Sequence, residues 1–81
     1  MDTQAEMMRR LQAALPDARI TLNDMTGGGD HWEGLVVSES FAGQTRIARY
    51  RAVYAALGDL MPIRVHAFTF KALTPAEAAG D

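Results

Sequence analysis

Two histidines, His31 and His66, are the side chains of this 81-residue chain best suited to bind a metal. Imidazole is a common metal ligand, and one ring nitrogen binds while the other is held by a hydrogen bond. The chain has no cysteine, so it has no disulfide, no thiol nucleophile and no thiolate with which to hold zinc or an iron–sulfur cluster unaided. Because a tetrahedral site needs four ligands, these two imidazoles would leave it incomplete.

Each histidine also has a purely structural interpretation. His66 precedes Ala67 near the start of a predicted strand, where the usual arrangement is a packed imidazole that donates to a backbone carbonyl. His31 borders a loop with three consecutive glycines at positions 27–29, and loops of that kind often carry function. Periodicity alone favours the packed interpretation for His66 and leaves the exposed hairpin and ligand interpretations of His31 equally open.

Three arginines form a second group of interest in the first half of a predicted helix: Arg46, Arg49 and Arg51. Cations at this end oppose the helix dipole, at a cost of roughly 0.3–1 kcal/mol each. One interpretation is a solvated face whose arginines pair with carboxylates such as Glu39 or Asp59. The other is a surface for an anionic partner, because guanidinium groups bind phosphates and carboxylates equally well.

Sequence motifs of enzymes are lacking. There is no G-x-S-x-G elbow and no phosphate-binding loop, and the glycine run at 27–29 fits neither G-x-G-x-x-G nor the P-loop pattern. The carboxylates Asp24, Asp30 and Glu33 gather around a predicted hairpin tip, where solvation explains them better than acid–base chemistry. Trp32 is interpreted as a hydrophobic anchor of the sheet. We therefore expect no catalysis.

Composition limits the class of protein. Apolar residues make up 48% of the chain and charged residues 22%, which is typical of a globular domain. We expect one small domain over residues 1–81, with frayed residues at the N-terminus and at 76–81. No apolar run approaches the roughly 20 residues that span a bilayer, so a cytoplasmic protein without membrane association is expected. The net charge of −2 argues against coating nucleic acid by bulk electrostatics.

The first half of the chain predicts a helix followed by a β-hairpin. Thr3 and Glu6 have the spacing of a capping box, and Met8, Leu11 and Leu15 form one apolar face of a helix that ends before Pro16. Residues 19–23 alternate polar and apolar as a half-buried strand does, and residues 32–38 form its partner. The intervening residues 24–30 predict a mobile loop.

The second half predicts the strongest helix, over residues 45–57. Its apolar stripe consists of Ile47, Tyr50, Val53, Tyr54 and Leu57, with Gly58 as the C-cap. Residues 59–61 predict a short turn, and residues 63–71 a strand with Arg64, His66, Phe68 and Phe70 on one face. Thr74 and Glu77 repeat the capping box ahead of a short turn. The order αββααβ predicts an α+β domain with helices packed on one face of a three-stranded mixed sheet.

Several segments together resemble the BolA-like family. The main stretch runs from Val36 to Glu77, about half of the chain, and contains FAGQTRIARYRAVYAALGDLM and the following His66-Ala67. The earlier Asp30-His31-Trp32-Glu33 and Val36-Val37-Ser38 also fit and extend the resemblance. The resemblance implies a fold similar to class II KH domains. It also implies that His66 is a metal-cluster ligand and that His31, in the loop position, is the second. One departure is Tyr50, where the family commonly has the histidine of Arg-His-Arg, so no imidazole role is expected there.

The resemblance also implies a partner and a cofactor. BolA-like proteins form heterodimers with monothiol glutaredoxins, in which a 2Fe-2S cluster is shared with the partner's cysteine and a glutathione thiol. We therefore expect a non-catalytic adaptor in iron–sulfur trafficking or iron sensing, which holds no cluster when alone and is a monomer or homodimer in its free state. The absence of cysteine is compatible with this expectation only in the complex.

Two other functions remain open. KH-like folds and BolA-like proteins raise the alternative of a nucleic-acid-binding transcriptional regulator, which would use Arg46, Arg49, Arg51 and Arg64. The turn at residues 40–45 has only one glycine and lacks the GXXG clamp of KH domains, so such binding to DNA would be weak and strongly salt-dependent. A third interpretation is a structural interaction module with a vestigial cluster site.

Overall fold

Helices and strands follow one another in the computed structural model in the order that the periodicity predicts. The structure describes residues 2–80. The elements are α1 (Thr3–Ala14), β1 (Arg19–Asp24), β2 (His31–Val37), a 3-10 turn (Glu39–Phe41), α2 (Arg46–Leu57), α3 (Leu60–Ile63), β3 (Ala67–Leu73) and α4 (Pro75–Gly80). The α+β class is confirmed, and α4 occupies the segment where a short turn was predicted.

The three strands form one mixed sheet in the order β1-β2-β3. β1 and β2 are an antiparallel hairpin with Leu22 opposite Gly34, and β2 and β3 run parallel with Gly34 opposite Phe70. A parallel pair requires a crossover connection, which α2 and α3 provide. Because β2 and β3 run in the same direction, both begin at the same edge of the sheet.

One face of the sheet builds the hydrophobic core with α1 and α2. Trp32, Phe68 and Phe70 alternate with exposed or half-buried neighbours, as the two-residue period of a strand requires. Val36 and Val37 at the end of β2 are both buried. The helices contribute the fully buried side chains Met7, Leu11, Val53 and Leu57, and the 3-10 turn contributes Phe41. The predicted apolar face of α1 is correct at Leu11 and Leu15, whereas Met8 is only half-buried.

The central strand, β2, has a glycine at position 34, where residues of β1 and β3 approach it closely. A Cβ atom on Gly34 would lie 2.7 Å from the carbonyl oxygen of Thr21, 3.0 Å from Cε1 of Phe68 and 3.2 Å from Cδ2 of Leu22. The first of these distances is shorter than real Cβ contacts and the other two are tight, so both neighbouring strands approach β2 this closely only because position 34 has no side chain.

The N-terminal cap of α1 differs from the predicted capping box. Asp2 is the N-cap, and its carboxylate accepts a hydrogen bond of 3.1 Å from the backbone N–H of Gln4. Thr3 is the first helical residue, and the carboxylate of Glu6 turns toward arginines instead of the cap. The capping-box prediction was wrong because Asp2 is itself a good N-cap residue.

The carboxylate of Glu6 lies between two arginines of its own helix. Hydrogen bonds from Arg9 and Arg10 lower the pKa of Glu6 to about 2. Arg10 also donates to the carbonyl oxygen of Leu57 at 2.8 Å and to Asp59 at 2.7 Å. This network joins α1 to the C-terminal end of α2, where Asp59 was expected to pair with the arginines of α2 itself.

The boundaries around α2 and β3 confirm some predictions and correct others. α2 is capped by Thr45, and the N–H of Gly58 donates to the carbonyl oxygen of Tyr54 as expected of a C-cap. Ile47 was predicted to lie on the apolar stripe but is 62% exposed, because the first turn of α2 contributes no buried residue to the core. β3 begins at Ala67, so the predicted strand from residue 63 is wrong over its first four positions.

The second capping box is confirmed atom by atom. The N–H of Glu77 donates to the hydroxyl of Thr74 at 3.1 Å, and the N–H of Thr74 donates to Glu77 Oε1 at 2.9 Å. The helix that follows, α4, extends from Pro75 to Gly80. Met1 and Asp81, which belong to the predicted frayed ends, lie outside the described residues. No helix within residues 2–80 combines the length and apolar character needed to cross a bilayer.

Candidate functional site

The two histidines meet at the edge of the sheet where β2 and β3 begin. His31 is the first residue of β2 and pairs in register with Ala67, so His66 is placed directly beside it. The ring centroids of His31 and His66 are 6.3 Å apart, with the ring planes tilted by 41°. Both residues are exposed, which excludes the packed interpretation of His66. His66 lies just before the strand and not within it as predicted.

Asp30 connects the two histidines. Its Oδ1 atom lies 3.1 Å from Nδ1 of His31, and this hydrogen bond lowers the pKa of the Asp30 carboxyl below its ordinary range. Its carbonyl oxygen accepts from the backbone N–H of His66 at 2.8 Å and from that of Ala67 at 3.2 Å. One residue thus contacts the ring of one histidine and the backbone of the other.

The glycine-rich loop that leads to His31 is closed by side-chain hydrogen bonds. The carboxylate of Asp24 accepts from the N–H groups of Gly27 and Gly29 at 3.0 and 2.9 Å. Both glycines have φ near +80°, a conformation that side-chain-bearing residues rarely adopt. Trp32, which is 3% exposed and anchors the sheet as expected, donates from Nε1 to the carbonyl oxygen of Gly29 at 3.0 Å. These hydrogen bonds hold the loop in one conformation up to the residues that precede His31.

The two imidazoles can supply two of the four ligands of a metal site. Metal–nitrogen bonds are about 2 Å long, so two rings whose centroids are 6.3 Å apart are close enough for one small metal group to contact both. Within residues 2–80, no third histidine, aspartate or glutamate converges with them into a metal site. Asp30 is directed at His31 and does not serve as that third ligand. A group held by His31 and His66 would need its other ligands from another molecule.

The arginines named from the sequence are not brought together. Arg49 is turned into the protein, with a side chain that is 12% exposed: it donates to the carbonyl oxygen of Ala72 at 2.9 Å and pairs with Glu77 at 2.7 Å. This pairing lowers the pKa of Glu77 to about 2. Arg64 donates to the hydroxyl of Thr3 on α1 at 2.8 Å. Both therefore join elements of the fold.

Arg46 and Arg51 remain exposed. Arg46 lines a cleft of about 360 Å³ between α2 and β3, together with Tyr50 and Lys71. Tyr50 packs edge-on against Phe70 with ring centroids 4.9 Å apart, which confirms its packing role. The carboxylate interpretation of the helix arginines is thus correct for Arg49, with Glu77 as the partner instead of Glu39 or Asp59.

Sequence reasoning missed the role of Asp30, which it attributed to solvation. The signal was present, because a carboxylate directly before a candidate metal-binding histidine is close enough to orient its ring. The second contact of Asp30, through its carbonyl oxygen, follows from the parallel pairing of β2 and β3. Side-chain patterns carry no information about it.

Comparisons with known proteins agree on one family. A family model described as BolA-like protein matches residues 9–77. The acid stress protein IbaG of Escherichia coli K12 is 38% identical over 58 residues, which cover 70% of this chain and 69% of that protein. Human BolA-like protein 1 is 32% identical over an alignment of 81 positions, which covers 91% of this chain and 59% of that protein. The structure of BolA1 from Arabidopsis thaliana superposes with a TM-score of 0.87 at 25% identity, covering 95% of this chain and 96% of that one.

Proposed function

The chain belongs to the BolA-like protein family, and from this we propose that it is a non-catalytic adaptor that pairs with a monothiol glutaredoxin and co-ligates a 2Fe-2S cluster. In this proposal His66 and His31 supply two ligands, and the partner's cysteine and a glutathione thiol supply the others. The role is in iron–sulfur trafficking or iron sensing. The cytoplasmic location expected from the sequence stays part of the proposal.

The observation that carries the proposal is the proximity of the two exposed imidazoles. Rings 6.3 Å apart at one edge of the sheet are near enough for a small side-chain adjustment to bring both to one metal group. His31 begins β2 and His66 immediately precedes β3, so the sheet sets the separation of their backbones. The sheet thus holds the pair ready for a partner that approaches this edge.

The chemistry of this ligand set differs from that of four cysteines. A 2Fe-2S cluster with histidine ligands has a higher reduction potential than one held by cysteine alone. The protein's own contribution is to hold two imidazoles at a solvent-exposed edge, where a partner's thiolates can reach the same group. Because this chain has no thiol, it cannot supply a thiolate ligand. In this proposal, cluster binding depends on the thiolates of the partner and of glutathione.

The test is to mix the protein with a cluster-loaded monothiol glutaredoxin and glutathione. We expect the visible absorption and circular dichroism of the cluster to change on mixing, because histidine replaces thiolate ligands. His66→Ala and His31→Ala should each suppress this change. Thr69→Ala, an exposed position on β3, serves as the matched control and should behave as the wild type.

Far-ultraviolet circular dichroism of each variant establishes that the fold is intact. A wild-type mixture with the spectrum of the loaded glutaredoxin alone would refute the proposal. So would a folded His66→Ala variant that gives the wild-type spectrum, because the ligand assignment would then be wrong.

The nucleic-acid alternative named four arginines, of which two remain exposed. Arg49 and Arg64 contact other elements of the fold. Arg46 and Arg51, with Lys71 beside Arg46, are the members of that set available to a phosphate backbone. Binding of a single-stranded oligonucleotide that weakens steeply with salt and is lost in an Arg46→Gln, Arg51→Gln double variant would support this alternative. Binding that is undetectable in low salt would exclude it.

A further inference from the structure

We propose that Asp30 is a positioning residue for the histidine pair: its carboxylate fixes the proton of His31 on Nδ1, so that His31 presents Nε2 as its free ligand atom. This inference rests on the proposed function of the two histidines. It goes further by assigning the ligating nitrogen of His31 and the residue that selects it.

The side chain of Asp30 provides the first part of the argument. Its Oδ1 atom is 3.1 Å from Nδ1 of His31, and an ionised carboxylate can only accept a hydrogen bond. The proton of a neutral His31 ring must then lie on Nδ1 for the contact to form, and Nε2 keeps its lone pair. The hydroxyl of Thr26 also donates to this oxygen, at 3.3 Å, and so helps to hold the carboxylate toward the ring.

The backbone of Asp30 provides the second part. Its carbonyl oxygen accepts from the N–H groups of both His66 and Ala67, at 2.8 and 3.2 Å. These bonds join the last loop residue before β2 to the first residues of the β3 segment. A shift of Asp30 would therefore move the backbone of His66 as well as the ring of His31, because one residue contacts both.

The two contacts can be separated experimentally. Replacing the side chain removes the contact with the His31 ring, while the carbonyl oxygen and its bonds to His66 remain. Carboxylates that orient metal-binding histidines typically contribute roughly 10–100-fold to metal affinity. Because the Asp30 side chain is 41% exposed, we expect the lower end of that range.

The first measurement needs no metal. Long-range proton–nitrogen NMR of the protein alone, at a pH where the rings are neutral, reports which nitrogen of His31 carries the proton. We expect the Nδ1–H form to dominate in the wild type, and Asp30→Ala to shift the tautomer ratio about three- to tenfold toward Nε2–H. The matched control is Glu33→Ala, which removes the same charge from an exposed position on the His31 face of β2.

The control variant should leave the His31 tautomer unchanged, because a general charge effect would act in both variants. Asp30→Asn, which preserves the side-chain volume, is measured in parallel so that the contact is still tested if the alanine variant does not fold. It should shift the ratio in the same direction. A wild-type His31 in the Nε2–H form, or a ratio that neither Asp30 variant changes, would overturn the proposal.

The second measurement uses the complex with a cluster-loaded monothiol glutaredoxin. Asp30→Ala should shorten the half-life of the cluster signal about tenfold relative to wild type, and Glu33→Ala should not. Equal half-lives for wild type and Asp30→Ala would contradict a positioning role. If the wild type itself forms no shared cluster, the proposed function fails, while the NMR result still decides whether Asp30 sets the His31 tautomer.

Discussion

The close packing around Gly34 makes a quantitative prediction about the sheet that holds the histidine pair. Gly34→Ala places a methyl group 2.7 Å from the carbonyl oxygen of Thr21 and 3.0 Å from the ring of Phe68. Overpacking of this kind costs roughly 1–3 kcal/mol. The nearest atom belongs to the backbone of β1, which cannot rotate away as a flexible side chain would, so the upper half of that range applies.

A compensating effect reduces the loss. Alanine restricts the unfolded chain more than glycine does, which favours folding by about 0.4–1 kcal/mol. The net expectation is a decrease of about 2 kcal/mol in the free energy of unfolding. For a domain of this size this lowers the midpoint of thermal unfolding by roughly 8–16 °C. The total stability of such a domain is about 4–12 kcal/mol, so the variant should still fold.

Urea denaturation followed by circular dichroism measures this loss directly. Gly80→Ala is the matched control, because no atom lies within 4 Å of an added Cβ at that position. Its free energy of unfolding should stay within about 0.5 kcal/mol of the wild type. A Gly34→Ala variant as stable as wild type would refute the argument that the strands require a glycine there.

Three further predictions concern the contacts that hold the helices. The Glu6 pKa of about 2 is below its ordinary value of 4.5, so its ion pairs stabilise the fold above pH 4.5, and this stabilisation is lost as the pH falls toward 2. The urea midpoint of Glu6→Gln should therefore depend less on pH over that interval than the midpoint of the wild type does. Phe41→Ala removes a fully buried ring and should lower the free energy of unfolding by about 3–5 kcal/mol, measured in the same urea assay. Arg49→Gln should speed amide hydrogen exchange in α4, whereas Arg51→Gln should not, because only Arg49 contacts that helix; equal exchange in the two variants would contradict this role.

Patterns that are local in sequence predicted the fold well. The helix at α2, its Gly58 cap, the hairpin of β1 and β2 and the capping box of α4 all depend on residues near one another in the sequence. These are the interactions that periodicity and capping rules describe. The proximity of His31 and His66 was also expected, but through resemblance to a family and not through any local pattern.

Predictions failed where distant residues decide the local structure. Polar–apolar alternation extends through residues 63–66, yet the N–H groups of Arg64 and Val65 donate to the carbonyl oxygen of Leu60. The N–H of His66 donates to the distant Asp30, so the strand begins only at Ala67. Arg49 was assigned to a surface because its partner, Glu77, lies 28 positions away in the sequence. The orienting contact of Asp30 was missed for a different reason: clustered carboxylates at a hairpin tip are usually solvated.

The most direct measurement of the central claim identifies the ligand atoms in the shared complex. This chain alone is labelled with ¹⁵N, mixed with unlabelled, cluster-loaded glutaredoxin, and the reduced complex is studied by electron–nuclear double resonance. We predict two strongly coupled ¹⁵N nuclei, of which one is lost in His31→Ala and the other in His66→Ala. A spectrum of the wild-type complex with no strong ¹⁵N coupling, or with only one, would contradict the assignment of both imidazoles as ligands.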